Sequence, residues 1–289
     1  MLTEACFTEM MEKAAQQMPR LLGQLEQEDL DFMHKRYRVE ELPQLVKCHI
    51  TVRDMNYRAA VLAVLAVASL PAIDGRKRTL VIATDGLHVL KRDVEQVLSK
   101  LLEPYQNMDY DSKYTSALGD LLTNNGYGNR SDERFEAADE EAGLGKRNPE
   151  LKKLPLAHCR YALFPAGDAQ QALWLAPSTI CEIIDGKDGA LSLIHTTYGL
   201  TFAVGMRRRT MMSHIKRAVL CHGYFYRSSY NESYDPQSSL ASFLGYGSTP
   251  VLDIIFDGLD ICHLPGRSGD FVRRWRDYLV EEAMRGMGE

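Results

Sequence analysis

Five short apolar segments follow one another between residues 160 and 206, and turn-forming residues separate each from the next. Gly, Pro and Asp at these breaks favour tight turns, and short apolar segments at this spacing are typical of β-strands. The pattern therefore predicts an antiparallel meander of five strands: Arg160–Phe164, Ala172–Ala176, Ile180–Ile184, Ala190–Thr196 and Leu200–Met206.

Four further elements are predicted after the meander, one of them a short helix at Ser239–Leu244. Thr210–Tyr226 has apolar residues at helical spacing, and Thr210 is placed to cap that helix. Two apolar runs, Val251–Phe256 and Leu259–Leu264, flank Asp257-Gly258 and predict a β-hairpin. A last amphipathic helix begins near Asp270.

The first half of the chain predicts a different arrangement. Thr3–Met18 has the pattern of a helix, and Leu45–Val52 alternates like a strand. Met55–Leu70 predicts a buried helix, and Thr79–Ala83 a short buried strand. An amphipathic helix follows over residues 89–102, so strand and helix alternate as in a small α/β unit. The whole chain is therefore predicted to belong to the α+β class.

A change of composition separates the two halves. Residues 123–149 contain Asn-Gly and Gly-Asn pairs and an acidic run, Asp132–Glu141, with few residues that could bury an apolar face. Such a composition is typical of a linker. We expect residues 1–122 to form an N-terminal helical and α/β region, and residues 150–289 a strand-rich domain.

The sequence favours a cytoplasmic protein without a membrane span. Its start has neither the basic residues nor the apolar run of a signal peptide, and the longest apolar stretch, Ala59–Ile73, is too short to cross a bilayer. The six cysteines form no Cys-x-x-Cys pair, and neither a phosphate-binding glycine loop nor a Gly-x-Ser-x-Gly motif is present. No enzymatic activity, cofactor or metal is expected.

Positive charge is concentrated in one part of an acidic chain. The net charge is −5, yet residues 151–234 hold ten Lys and Arg against five Asp and Glu. Cationic side chains near a helix N-terminus can contact phosphate groups. The predicted DNA-contacting residues are therefore Arg207, Arg208, Arg209, His214, Lys216 and Arg217.

Short apolar motifs in the same region resemble a known family. They are Leu154-Pro155-Leu156, Leu163-Phe164-Pro165, Leu173-Trp174-Leu175, the turn residue Gly199, and Ile215-Lys216-Arg217-Ala218. In this order, over about residues 152–226, they resemble the ComK-type competence transcription factors of bacteria. Ala166 stands where that family has a threonine, and the N-terminal region has no counterpart. The resemblance implies an oligomeric, non-enzymatic regulator that binds AT-rich DNA.

Two other functions stay open. An adaptor without nucleic acid would bind a partner protein through aromatic residues of the last helix: Phe271, Trp275 and Tyr278. A metal-dependent or thiol enzyme would use four adjacent cysteine–histidine pairs, more than composition alone predicts: Cys48-His49, His158-Cys159, Cys221-His222 and Cys262-His263. Among these thiols, Cys221 has the most cationic neighbours along the sequence.

Overall fold

Two β-sheets and six α-helices make up the part of the chain that the computed structural model describes, and the predicted α+β class is confirmed. The helix predicted at Thr3–Met18, the strand at Leu45–Val52 and most of the predicted linker lie outside the described residues. These described residues are 36–38, 64–73, 76–83, 86–106, 112–127, 154–166, 173–186, 191–197, 200–229 and 235–286.

The larger sheet has six strands, and every pair of neighbours within it is antiparallel. Its order is β4-β3-β2-β7-β6-β5. The strands are β2 (Val64–Ile73), β3 (Arg76–Ala83), β4 (Gly86–Leu90), β5 (Leu156–Ala157), β6 (Ala162–Ala166) and β7 (Leu173–Leu175).

Strand β2 corrects the helix predicted over Met55–Leu70. Residues 64–70 are a central strand between β3 and β7, with most side chains buried. An apolar run of this kind is compatible with either a buried helix or a strand buried on both faces, because neither has a polar side. The ladder shifts register between Leu70 and Ile73, on either side of Pro71, which has no N–H to donate.

The pairing of β2 with β7 joins the two halves of the chain. Val67 lies opposite Trp174, with the predicted linker between them in sequence. The buried residues of both halves belong to one hydrophobic cluster. The described segments on either side of residues 123–149 therefore share one sheet and one core.

The smaller sheet has the order β1-β10-β9-β8. Strands β8 (Ile180–Asp185), β9 (Ser192–Thr196) and β10 (Thr201–Val204) form an antiparallel meander, and β1 (Arg36–Arg38) pairs with β10 in parallel. The predicted five-stranded meander is therefore wrong as one sheet. Its strands exist, but the first two belong to the larger sheet and the last three to the smaller.

The described residues contain six helices, and one of them packs against both sheets. They are α1 (Val94–Gln106), α2 (Ser112–Asn124), α3 (Arg208–Ser229), α4 (Leu240–Leu244), α5 (Pro250–Phe256) and α6 (Asp270–Gly286). Helix α3 packs against β5 and β6 of the larger sheet and β8 of the smaller, whereas α6 packs against α2. The orientation of α3 is therefore fixed by contacts with both sheets.

The predicted C-terminal hairpin is wrong. Its first run is helix α5, which begins with Thr249 as the N-cap and Pro250 in the first turn. The Thr249 hydroxyl oxygen accepts a hydrogen bond from the Leu252 N–H at 3.2 Å. The second run is a 3₁₀ turn at Ile261–His263. Asp257-Gly258, read from sequence as a hairpin turn, ends the helix, with Gly258 at a φ of 66°.

A buried tyrosine joins α2 to the edge of the larger sheet. The Tyr114 hydroxyl donates to the Ala157 carbonyl at 2.9 Å and accepts from the Ala157 N–H at 3.0 Å. Its ring also meets Phe271 of α6 edge-on, with centroids 5.4 Å apart. One side chain thus positions two helices relative to β5.

Tyr114→Phe is expected to lower the free energy of unfolding by about 1–3 kcal/mol, because two buried backbone groups lose a hydrogen bond while the ring packing remains. Urea denaturation followed by tryptophan fluorescence measures this change. The matched control is Tyr278→Phe, which removes a hydroxyl that donates only to the partly exposed Asp120. Equal losses in the two variants would contradict the role given to Tyr114.

Candidate nucleic-acid interface

The cationic cluster lies where β10 leads into helix α3. The Arg207 carbonyl accepts the first intrahelical hydrogen bond, from the Met211 N–H at 3.0 Å, and Arg208 is the first helical residue. Thr210, predicted to cap this helix, lies instead within its first turn. The three arginines therefore surround the positive end of the helix dipole, where anions are stabilised.

Four of the six predicted DNA-contacting residues are exposed: Arg207, Arg208, Arg209 and Lys216. Arg209 and Lys216 lie seven residues apart, with the exposed hydroxyl of Ser213 between them on the same face. Helix α3 contains five Lys and Arg and neither Asp nor Glu. Its first three turns thus present cations and hydroxyl groups to solvent, the groups that proteins use to contact phosphate oxygens.

The other two predicted residues, His214 and Arg217, are buried, so their assignment to a DNA-contacting surface is wrong. They lie three residues apart on the buried side of α3. His214 Nδ1 is 3.0 Å from the Pro165 carbonyl oxygen of β6, so this histidine connects the helix to the larger sheet.

Beyond its third turn, α3 is enclosed by protein. Every residue from Arg217 to Phe225 is buried. At Gly223 a Cβ atom would lie 2.5 Å from Leu264 Cδ2 and 3.1 Å from Leu240 Cδ1, so neighbouring segments approach the helix closely there. The middle of helix α3 therefore cannot lie along a DNA groove, whereas its N-terminal end is exposed in the described part of the chain.

A shallow groove of about 250 Å³ lies beside the cationic cluster, between β8 and α5. The carboxylates of Glu182 and Asp185 line it together with Arg208. Ile184 and Ile254 are 39% and 57% exposed there, so its walls are partly apolar. The two acids reduce the positive potential around Arg208, whereas Arg207, Arg209 and Lys216 do not line this groove.

Cys221, the thiol with the most cationic neighbours along the sequence, is fully buried in α3. Burial raises the pKa of its thiol far above the usual value, and the nearby Arg217 offsets this only in part. Because the thiolate is the reactive form, Cys221 is an inert core residue. The Cys48-His49 pair lies outside the described residues.

Two histidines from the predicted pairs are buried close together, His158 just after β5 and His222 in α3. Burial lowers the pKa of His222 to about 4. Burial, the neighbouring His222 and then Arg160 lower the pKa of His158 well below 6.5. His222 Nδ1 is 3.0 Å from the Tyr246 hydroxyl oxygen. Both imidazoles are therefore neutral at pH 7.

The aromatic surface predicted on the last helix is largely a packing face. Phe271 is fully buried, so its assignment to an interaction surface is wrong. Its ring packs edge-on against Phe225 and Tyr114. Trp275 and Tyr278 are partly buried against the same core, and Tyr278 donates a hydrogen bond to Asp120 of α2. The helical spacing of these three residues therefore reflects the packing of α6 against the core.

The opposite side of α6 carries exposed apolar residues that the sequence interpretation did not single out. Val280 is 58% exposed and Met284 is 65% exposed. The four-residue spacing of Val280 and Met284 is the sequence signal for this apolar face, because residues four apart lie on the same side of a helix. Within the described residues, no helix is long and apolar enough to cross a bilayer.

Comparison of the chain with protein-family models, with curated proteins and with solved structures finds no match.

Proposed function

We propose that this protein is a non-enzymatic DNA-binding regulator that contacts phosphate groups through the N-terminal end of α3. The observation that carries the proposal is the make-up of this helix, with five cations, no acid and an exposed cationic face around its positive end. The ComK-type resemblance over residues 152–226 supports the same function. Because the rest of α3 is enclosed, the contact is end-on, with Arg207, Arg209 and Lys216 against the DNA backbone.

The adaptor function has less support. Its main anchor, Phe271, belongs to the core, and Trp275 and Tyr278 hold α6 in place. A thiol enzyme using Cys221 is disfavoured by the burial of that side chain. For DNA binding, the candidate residues Arg207, Arg209 and Lys216 are all exposed near the N-terminal end of α3.

Binding to short AT-rich and GC-rich duplexes tests the proposal. Each neutralised phosphate contributes about −0.9 to the slope of log affinity against log salt concentration. With about four contacts, affinity should fall roughly 100-fold between about 50 and 200 mM salt. The family resemblance leads us to expect tighter binding to the AT-rich duplex.

Fluorescence anisotropy of labelled duplexes gives both affinities across the salt range. An absence of binding to either duplex at low salt would overturn the proposal. In that case, concentration-dependent self-association that is lost in Val280→Glu would favour a protein-interaction role for the exposed side of α6.

A further inference from the structure

Three side chains of different chemistry meet on the 3₁₀ turn at Ile261–His263. A carboxylate oxygen of Asp260, the Cys262 Sγ and an imidazole nitrogen of His263 all lie within 4.8 Å of one another. Cys262 and His263 are exposed, and Asp260 is partly buried. Among the described residues, no other such group of three metal-ligating side chains occurs.

The backbone beneath this cluster is held by hydrogen bonds to a neighbouring segment. The Ile261 N–H donates to the Ser238 carbonyl at 3.2 Å, and the Cys262 N–H donates to the Pro236 carbonyl at 3.1 Å. On the other side, the Tyr127 hydroxyl donates to the His263 carbonyl at 2.5 Å. The three side chains therefore project from a fixed turn, so little ordering is needed to bring them together.

The distance between sulfur and nitrogen fits a shared metal ion. Cys262 Sγ lies 3.5 Å from His263 Nδ1. With ordinary zinc–sulfur and zinc–nitrogen bond lengths and a tetrahedral angle, two ligands of one zinc ion are about 3.6 Å apart. A single ion can therefore bridge these two atoms at the distance already present, once the Nδ1 lone pair is released from the Asp260 N–H.

We propose that Asp260, Cys262 and His263 form a binding site for a borderline-soft divalent cation of the zinc type. Thiolate, imidazole and carboxylate are the three side-chain ligands that zinc uses in proteins, and harder cations such as magnesium avoid sulfur. On binding, the Cys262 thiol releases its proton to solvent and the thiolate takes the metal. Water completes the tetrahedron on the exposed side.

Hydrogen bonds within the turn already involve two of the side chains that would bind the metal. The Asp260 side chain accepts from the His263 N–H, and His263 Nδ1 accepts from the Asp260 N–H at 3.0 Å, which together form a capping box. The metal takes the Nδ1 lone pair and displaces the second of these bonds. The carboxylate has a second oxygen for the metal, so the first bond is retained.

Cobalt titration of the full chain, stripped with a chelator and kept reduced, tests the site. We expect one equivalent of Co²⁺ to bind with the absorption of a thiolate-to-cobalt charge transfer, which zinc then removes by displacement. Cys262→Ser should abolish this absorption, whereas Cys181→Ser, a partly buried cysteine on β8, should leave it unchanged.

Two further variants separate ligation from folding. Asp260→Asn and His263→Gln can each still make the capping hydrogen bonds, because Asn is a good N-cap and Gln suits the third helical position. Each should lower the cobalt affinity by at least roughly tenfold, since loss of even an outer-shell partner commonly costs that much. An absence of the charge-transfer absorption in the wild-type protein, or its survival in Cys262→Ser, would overturn the proposal.

Discussion

A variant with Arg207, Arg209 and Lys216 all replaced by Ala is expected to bind DNA about 100- to 1,000-fold more weakly at low salt. Each cation is exposed at the N-terminal end of α3 and can make one charge-assisted hydrogen bond to phosphate. The slope of log affinity against log salt concentration should also become shallower by about 2.7, because three counterion-releasing contacts are lost. Fluorescence anisotropy at several salt concentrations measures both changes.

The matched control removes three exposed cations elsewhere: Arg76, Lys77 and Arg276. This variant has the same net charge as the first, so a local contact and a general charge effect give different results. If the two triple variants lose affinity equally, DNA binding depends only on the net charge of the protein, and the assignment of the DNA contacts to α3 is wrong. Arg208→Ala alone should cost less, because Glu182 and Asp185 share its groove.

Acidification between pH 7 and pH 5 is expected to destabilise the protein through its buried histidines. The pKa of His222 falls from 6.5 in the unfolded chain to about 4 in the folded state. Between these values the unfolded state binds more protons, so the free energy of unfolding decreases as the pH is lowered. His222 alone should account for about 2 kcal/mol over this range, and His158 adds a loss of the same sign.

Urea denaturation at pH 7, 6 and 5, in wild type and two variants, measures this effect. His222→Gln removes the titrating ring and should make the dependence of unfolding free energy on pH shallower. Tyr246→Phe removes the hydroxyl partner but keeps the imidazole buried, so its pH dependence should match that of wild type. If His222→Gln and wild type lose the same free energy, the imidazole is not the group that responds.

The order of elements in the second half of the chain follows from local sequence, whereas the pairing of the strands within the sheets does not. Gly, Pro and Asp mark the ends of the strands reliably because these residues determine backbone conformation within a few positions. Whether β7 pairs with β8 or with β2 depends on contacts far along the chain. Residues 64–70 were predicted as a helix for the same reason, since their environment as a central strand comes from distant segments.

Helix-capping residues explain another difference between the predicted and the observed elements. Thr249-Pro250 starts helix α5, whereas the Asp257-Gly258 pattern predicts a hairpin. The predicted hairpin also places residues 260–263 on a strand. On a strand, Cys262 and His263 would point to opposite faces, whereas the 3₁₀ turn brings Sγ within 3.5 Å of Nδ1.

The basic run at the start of α3 holds residues in two environments. The three arginines are exposed because they precede the enclosed part of the helix. His214 and Arg217 belong to the same cationic run in sequence, yet the helical period places both on the buried side of α3, where His214 contacts β6. A list of basic residues cannot distinguish these two environments unless the packing face of the helix is also identified.

The antiparallel pairing of β2 with β7 affects the order in which the molecule can form during synthesis. Val67 meets Trp174, which follows it by 107 residues, so β2 leaves the ribosome long before its neighbour exists. Pairings of such high contact order form slowly, and an unpaired apolar strand can aggregate in the meantime. A nascent chain that ends before residue 173 would therefore expose one edge of β2 and depend on chaperones until the missing strand arrives.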